Sequence, residues 1–537
     1  MKQIIGCFLI IVCSMTGIAQ SQTTDVFLEP ISIDGFGGIQ SFAWGSYEDK
    51  ILIAGGRLDG LHRRQPFAAF DEAGHNTSLI VIEPGTQSVW SRSVAELPVA
   101  ISEQLSSTNM EFEQAGETLY MVGGYGYSAT DADHITHDKL TAVDVPGLIN
   151  AIISDAPIAE YFRQISGETF RVTGGHLNKI GDLYYLSGGQ NFEGRYNPQG
   201  PDFGPGFIQE YTNSIRRFSI VDDGINLDVV VLEEWLDEEN LHRRDYNVVD
   251  QIMPDGTSGF TAFSGVFRTD ADLPYLNCVN VGADGYEVNN SFAQYYNHYH
   301  CATLPFHSAL SNEMCTIFFG GIAQYYDDNG ILTQDDNVPF VNTIGMVCRN
   351  ASGEMTEYKL QCEMPGLLGA GSEFVPVENA PQYNNGVIDY DALEGDSILV
   401  GYVIGGISSS ASNIFFTNNG TQSEAVSTIY KVYLLKNSIT HAPVVNAESR
   451  NELQLLIYPN PTGGEFQICY HTIKSGPVEI EIRESTGKII HHKKIGYQKQ
   501  GEHVYKPGFE EYLPDGSYLV TVRHQGRRAT QRIILTH

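Results

Sequence analysis

Residues 50–56 read KILIAGG, and the same form returns at 118–124 (TLYMVGG), 183–189 (LYYLSGG), 259–265 (GFTAFSG), 315–321 (CTIFFGG) and 399–406 (LVGYVIGG). Each is a short apolar run rich in aromatic and β-branched residues, uncharged after its first position and closed by two small residues. Such a run predicts a buried strand, with glycine where the backbone turns sharply or meets a neighbour closely. The second glycines lie 68, 65, 76, 56 and 85 residues apart. Recurrence at this scale predicts an array of equivalent supersecondary units.

Working outward, each pair is followed by a loop of variable length and then a second strand-like run, as at 76–83 (NTSLIVIE). In the first unit a turn at Pro84-Gly85 leads to SVWSR, which carries Trp90. This order resembles the Kelch repeat, whose blades are four-stranded antiparallel sheets set around an axis. The first unit matches best. The others lack the tryptophan, and the fourth has Ser264 in place of the first glycine. The resemblance implies an all-β fold, a six-bladed Kelch-like β-propeller over residues 20–436. The longer units put their extra length in loops. A propeller must pair its last edge, and the strand-like run 26–33 (VFLEPISI) has no unit of its own. It is expected to become the outer strand of blade six. Seven blades would need a seventh glycine-pair run, and there is none.

Residues 1–19 combine Lys2, an apolar stretch and a small-residue exit, which is the pattern of a secretory signal peptide. No other stretch is apolar enough for a membrane span. After a linker at 437–452, residues 453–537 change character. Residues 451–537 carry a net +2, while the rest of the chain carries −35, within a total of −33. Six strand-like runs separated by turns at 461–464, 485–487 and 514–516 predict a small antiparallel β-sandwich. Tyr458-Pro459-Asn460-Pro461, Gly463-Gly464, the hairpin IEIRESTG at 480–487, LPDGSY with Gly516 and Tyr518, and TQRIIL at 530–535 resemble the type A C-terminal sorting domain of the type IX secretion system of Bacteroidota. The resemblance implies export to the periplasm, recognition by the type IX machinery, removal of the module, and release or anchoring outside the cell. The alternative is an ordinary terminal sandwich such as a carbohydrate-binding module.

The acidic balance argues against nucleic acid, which requires a basic surface. Six cysteines follow the signal segment, and export permits disulfides. Fifteen pairings are open, with Cys301–Cys315 a candidate within blade five. The chain has no C-x-x-C, G-x-S-x-G, Walker, dinucleotide or H-E-x-x-H motif. No cofactor or metal site is therefore expected, and catalysis is left open with binding preferred.

In the Kelch resemblance, the loop after each glycine pair and the segment leading into the next innermost strand share one face. Candidate ligand residues there are Arg57, His62, Arg63 and Arg64; Tyr125 and Tyr127; Arg195; His242, Arg243 and Arg244; His298 and His300; and Tyr325. Guanidinium forks bind carboxylates and tyrosine rings stack on sugars, so a glycan or a surface protein is the expected ligand. The competing reading is that these arginines pair with the chain's many carboxylates. His298 and His300 alternate and would share a face in a strand, and His62 and His242 could meet across the axis. Asp327-Asp328-Asn329-Gly330 reads as a polar hairpin turn rather than a calcium loop. Two further functions remain: a sugar-active enzyme similar to sialic acid mutarotases, with Glu373 or Asp245 near Arg243 as acid, and a structural envelope component.

Overall fold

The computed structural model describes residues 24–436 except 65–67, 198, 199, 201, 203 and 329, together with 444 and most of 453–535. The signal segment 1–19 lies outside the described residues, as do the linker apart from residue 444 and Pro459, Asn460, Pro461 and Gly463 of the sorting motif. Among the described residues the chain is all-β, with two short α-helices. It divides into two compact units, Met1–Asp327 with Thr333–Pro443 and Val444–His537 with Asp328–Leu332.

Among the described residues the first unit holds six sheets with four antiparallel strands at their heart, five of these sets built from consecutive stretches of chain. From first to fourth strand these are Ala43–Tyr47, Lys50–Ala54, Ser78–Glu83 and Ser88–Ser93; Glu111–Ala115, Thr118–Val122, Lys139–Asp144 and Phe162–Ser166; His176–Ile180, Leu183–Ser187, Ser214–Asp222 and Leu227–Val231; Asn247–Ile252, Ser258–Phe263, Cys278–Gly282 and Gly285–Asn289; and Thr303–Ser308, Glu313–Ile322, Phe340–Arg349 and Met355–Glu363. The sixth contains Leu367–Pro376, Ser397–Ser409 and Ile429–Leu435, and its fourth strand is Asp25–Ile31 from the start of the chain. That strand pairs in unbroken antiparallel register, from Asp25 opposite Leu435 to Ile31 opposite Ile429. The third, fifth and sixth sheets add a short fifth strand, Trp235–Leu236, Ile388–Asp389 and Ser423–Ala425, of which Ile388–Asp389 pairs parallel.

The pairs follow the second strands of the first four sheets and lie within those of the fifth and sixth, and both residues of each pair have positive φ, including +54° at Ser264. The left-handed turn frees backbone groups for the next sheet. Gly56, Gly124 and Gly189 donate their N–H to the carbonyls of Ser107, Val172 and Arg243, each in the segment leading into the following sheet. Gly406 in the sixth sheet donates to Ile39, ahead of the first. The first strands are linked in the same way. Asn109 N–H donates to Ser41 O, Gly174 to Asn109, Asp245 to Gly174, His300 to Asp245, Gly371 to His300, and Ser41 to Gly371. These six bonds, 2.8–3.3 Å long, form a circuit that returns to its starting residue.

Apolar layers fill the spaces between successive sheets. Leu52 and Val81 pack with Leu119 and Met121, Val122 with Leu177 and Leu186, and Tyr185 with Val248 and Phe260. Phe263 packs with Phe318 and Val347, and Ile317 and Met346 with Phe374 and Val403. Ile53 and Ile82 of the first sheet pack with Val375, Ile404 and Ile429 of the sixth. A strand buried on both faces is apolar throughout, which is why the glycine-pair runs are so easily seen.

Some of the extra length expected in loops is helical. Val145–Ser154 is capped by the Asp144 carboxylate, which accepts the Gly147 N–H at 3.1 Å, and it ends at Asp155 with φ +56°. Its Leu148, Ile149 and Ile152 join the layer between the first two sheets. The expected hairpin around residues 327–330 forms, with Tyr325–Asp328 paired to Ile331–Gln334. The cysteine pairing differs from the expected one. Cys315 is bonded to Cys348, its direct cross-strand partner in the fifth sheet, whereas Cys301 is buried and free. Cys301 precedes the first strand rather than lying in it.

The second unit has a three-stranded sheet of Leu456–Tyr458, Gln467–Thr472 and Gly501–Tyr505. A four-stranded sheet holds Gly476–Glu484, Ile489–Gln498, Gly516–His524 and Arg527–Leu535. Ile457 and Ile468 of one pack with Ile480, Val520 and Ile533 of the other. Gly501–Tyr505 (GEHVY) is absent from the sequence reading because its residues are half-exposed or exposed and lack an apolar pattern. Tyr518 Oη donates to Pro514 O at 2.8 Å, fastening the turn of the LPDGSY segment.

Candidate functional site at the centre of the first unit

The expected ligand residues separate into several settings. Arg57 is 1% exposed and held by a bidentate pair of 2.7 Å bonds to Asp59, with the Phe70 ring 5.5 Å away. His62 stacks on Phe70 at 4.6 Å and meets Tyr196 edge-on. Tyr125 packs against Phe70 and donates to Gly194 O at 2.6 Å, and Tyr127 sits against His134. Arg195 Nε lies 3.5 Å from His134 Nδ1. Loops of the first three sheets thus bring Arg57, His62, Tyr125, Tyr127 and Arg195 into one aromatic cluster.

A second cluster joins His242, stacked on Tyr211 at 3.8 Å, with Arg244, which donates to Tyr211 Oη and pairs with Asp245. Arg64 lies over the Phe416 ring, and Arg63 lies against Gly420. Arg243 is a buried backbone clamp that donates to Asn240 O, Ser264 O and Asn277 O. Tyr325 donates to Gln334 Oε1.

The two histidines expected on one face of a strand precede it and part company. His298 is fully buried, its Nδ1 accepting from Gln324 N–H and its Nε2 bonded to Gln294 O. His300 instead faces a central cavity and bonds Glu373 Oε1 through Nε2 at 2.7 Å. Segments without the regular strand alternation need not put residues i and i+2 on one side.

The central cavity measures about 410 Å³, and the first strand of every sheet contributes to its lining. Ser41, Asn109, Gly174 and His300 of the hydrogen-bond circuit lie along it, as do Gln114 and Pro376 at the far ends of their strands. Its carboxyl groups are Glu111, Glu113, Asp250, Glu373 and Glu378, and among the described residues neither lysine nor arginine lines it. Glu111 is 2% exposed; its Oε1 accepts the Gly175 N–H at 2.8 Å, and burial pushes its carboxyl up to about 8. Burial also raises Asp250 and Glu113, and the negative charge of Asp250 raises Glu113 further. For His300, burial favours the neutral ring, but the Glu373 carboxylate holds it above its ordinary value. His176, bonded to Tyr246 O and 5.2 Å ring to ring from His300, is pushed down to about 3, chiefly by burial.

The cavity therefore combines three carboxyl groups whose burial favours the protonated form, Glu111, Glu113 and Asp250, with a histidine whose carboxylate partner favours the charged ring. Such a lining can orient polar ligands and move protons. Apart from His300 and Glu373, these residues were not anticipated. Their available signal is the alternation Glu111-Phe112-Glu113 and His176-Leu177-Asn178 in first strands, which presents polar groups to one side. Among the described residues, one group of three potential metal-binding side chains is close enough to share an ion, Glu313 with Cys315 and Cys348. Its two cysteines form the disulfide.

Among solved structures, YjhT is 10% identical, with a TM-score of 0.40, over 74% of this chain and 99% of its own. The RAG complex with one melted and one unmelted RSS contains a chain 10% identical, with a TM-score of 0.33, over 76% of this chain and 99% of its own. No curated protein matches the chain. Among the described residues, no helix is long and apolar enough to cross a membrane. Residues 456–536 match the secretion system C-terminal sorting domain. Through that domain the chain engages the type IX secretion machinery and is exported to the cell surface or beyond it.

Proposed function

We propose that the first unit is a closed six-bladed Kelch-like propeller and that the exported protein is a ligand-binding module. Its central cavity takes a small glycan. Closure is supported by the hydrogen-bond circuit through Ser41, Asn109, Gly174, Asp245, His300 and Gly371, and by the apolar layer between the sixth and first sheets. The observation that carries the binding role is the cavity itself. It has the volume of a small-molecule site and is lined by polar atoms from all six first strands. The propeller spans residues 20–436, a linker follows at 437–452, and the sorting domain at 453–537 is removed after transport.

A second reading is a sugar-active enzyme, favoured by the His300–Glu373 pair beside the buried Glu111 carboxyl. Asp245 is paired with Arg244, and Arg243 is committed to backbone carbonyls, so an acid beside Arg243 draws no support. The mature protein screened on a glycan array tests both readings. Binding without turnover supports the module, turnover supports the enzyme, and retention of neither glycan nor product refutes both.

A further inference from the structure

The cavity's buried polar atoms are unevenly matched. Asn178 is 4% exposed; its Nδ2 faces Asp250 Oδ1 at 3.4 Å, and its Oδ1 has no hydrogen-bond partner. Glu111 Oε2 and Asn385 Oδ1, also in the lining, have none either. The two amide oxygens are acceptors, and Glu111 Oε2 becomes one when its carboxyl ionises. A buried acceptor without a donor is costly, and a carboxylate in a water-poor site needs a cation beside it. Glu373 has His300. Among the described residues Glu111 and Asp250 have no lysine or arginine in the lining. Arg216, whose charge favours ionisation of Glu111, lies outside it and donates to Thr169 O at 2.8 Å, and Lys179, which favours ionisation of Glu113, donates to Gly181 O at 2.6 Å.

We infer that the ligand of this cavity carries an ammonium group, presented on a sugar, which Glu111, Asn178 and Asp250 receive. The inference rests on the reading of the cavity as a ligand site. An ammonium group brings three donors and no acceptor, which complements an acceptor-rich lining. Its charge also offsets the burial that makes these acids hold their protons. Anionic sugars would face several carboxyl groups without a guanidinium or lysine ammonium to receive them, and a neutral sugar brings no charge to draw the protons from these acids.

Isothermal titration of the mature protein with glucosamine, N-acetylglucosamine, glucose and 1,5-diaminopentane tests this. Glucosamine should bind at least tenfold more tightly than either neutral sugar. Glu111→Gln and Asp250→Asn should each cost glucosamine at least tenfold, with weak glucose binding retained as the check on folding. Tighter binding of diaminopentane than of glucosamine would overturn the sugar form of the inference and assign the site to alkyl ammonium groups. Equal binding of glucosamine and glucose would overturn the inference while leaving the cavity a sugar site. Binding by none of the four would overturn both.

Discussion

The N–H of Gly406 donates to the carbonyl of Ile39 at 2.8 Å, fastening the turn of the sixth sheet to the segment that leads into the first. Its neighbour Gly405 has φ +69°, and a Cβ there would overlap the Ile39 carbonyl. Gly405→Val combines backbone strain with a clash against main chain that has little room to retreat. It is expected to lower stability by about 2–4 kcal/mol, measured as a fall in the urea midpoint with unchanged slope.

The fifth sheet contains the Cys315–Cys348 bond, whose ends are 33 positions apart, and Cys278, Cys301, Cys362 and Cys469 are free. Thiol titration of the mature, unreduced, denatured protein, which loses Cys469 with the sorting domain, should find three free thiols, Cys278, Cys301 and Cys362. Replacing Cys315 and Cys348 by serine should cost about 3–4 kcal/mol, the loop-closure contribution at this separation. Cys301→Ser leaves the bond intact and should leave the count of bonded cysteines unchanged.

Arg57 reads in the sequence as a ligand group, yet its guanidinium is buried and paired with a carboxylate that is half exposed. Arg57→Ala would leave Asp59 unpaired and open a gap beside Phe70. The expected loss is about 2–3 kcal/mol in chemical denaturation, smaller than for a fully buried pair because water reaches Asp59. Arg57→Lys should recover only part of it, since lysine lacks the two-pronged geometry.

Buried carboxyls give the first unit a pH dependence of stability. Glu111 in the cavity and Glu357, which accepts the Tyr295 and Tyr296 N–H groups, are each pushed up to about 8 by burial. In the unfolded chain both ionise near 4.5. Between about 4.5 and 8 the folded state therefore holds protons that the unfolded state has released, and stability contributed by these groups falls as pH rises. Each contributes a slope of at most about 1.4 kcal/mol per pH unit. Glu111→Gln should remove one such contribution, seen as a flatter plot of unfolding free energy against pH.

The second strands and the N-terminal partner of the sixth sheet were legible because both faces of those strands are buried and the turns require left-handed φ, which leaves an unmistakable apolar run before Gly-Gly. The cavity was less legible. Its residues sit in first strands such as 111–115 and 176–180, where polar alternation looks like an ordinary half-exposed strand until all six are brought together. Arg57, Arg63, Arg64, Arg243 and Arg244 read as ligand groups because local sequence displays charge but hides partners. Arg57 finds Asp59 two residues away, and Arg243 finds carbonyls more than twenty residues distant. The Cys315–Cys348 bond joins cross-strand neighbours 33 residues apart, a register that spacing alone does not reveal.

Everything proposed for the cavity depends on the six first strands being joined all the way round. Residue-resolved hydrogen exchange on the mature protein tests this at the amides of Ser41, Asn109, Gly174, Asp245, His300 and Gly371. The account predicts that all six exchange slowly and with one shared opening free energy, because none can be released without breaking the circuit. Rapid exchange at Ser41 and Gly371, with protection at the other four, would mean that the sixth and first sheets are not joined, and would contradict it.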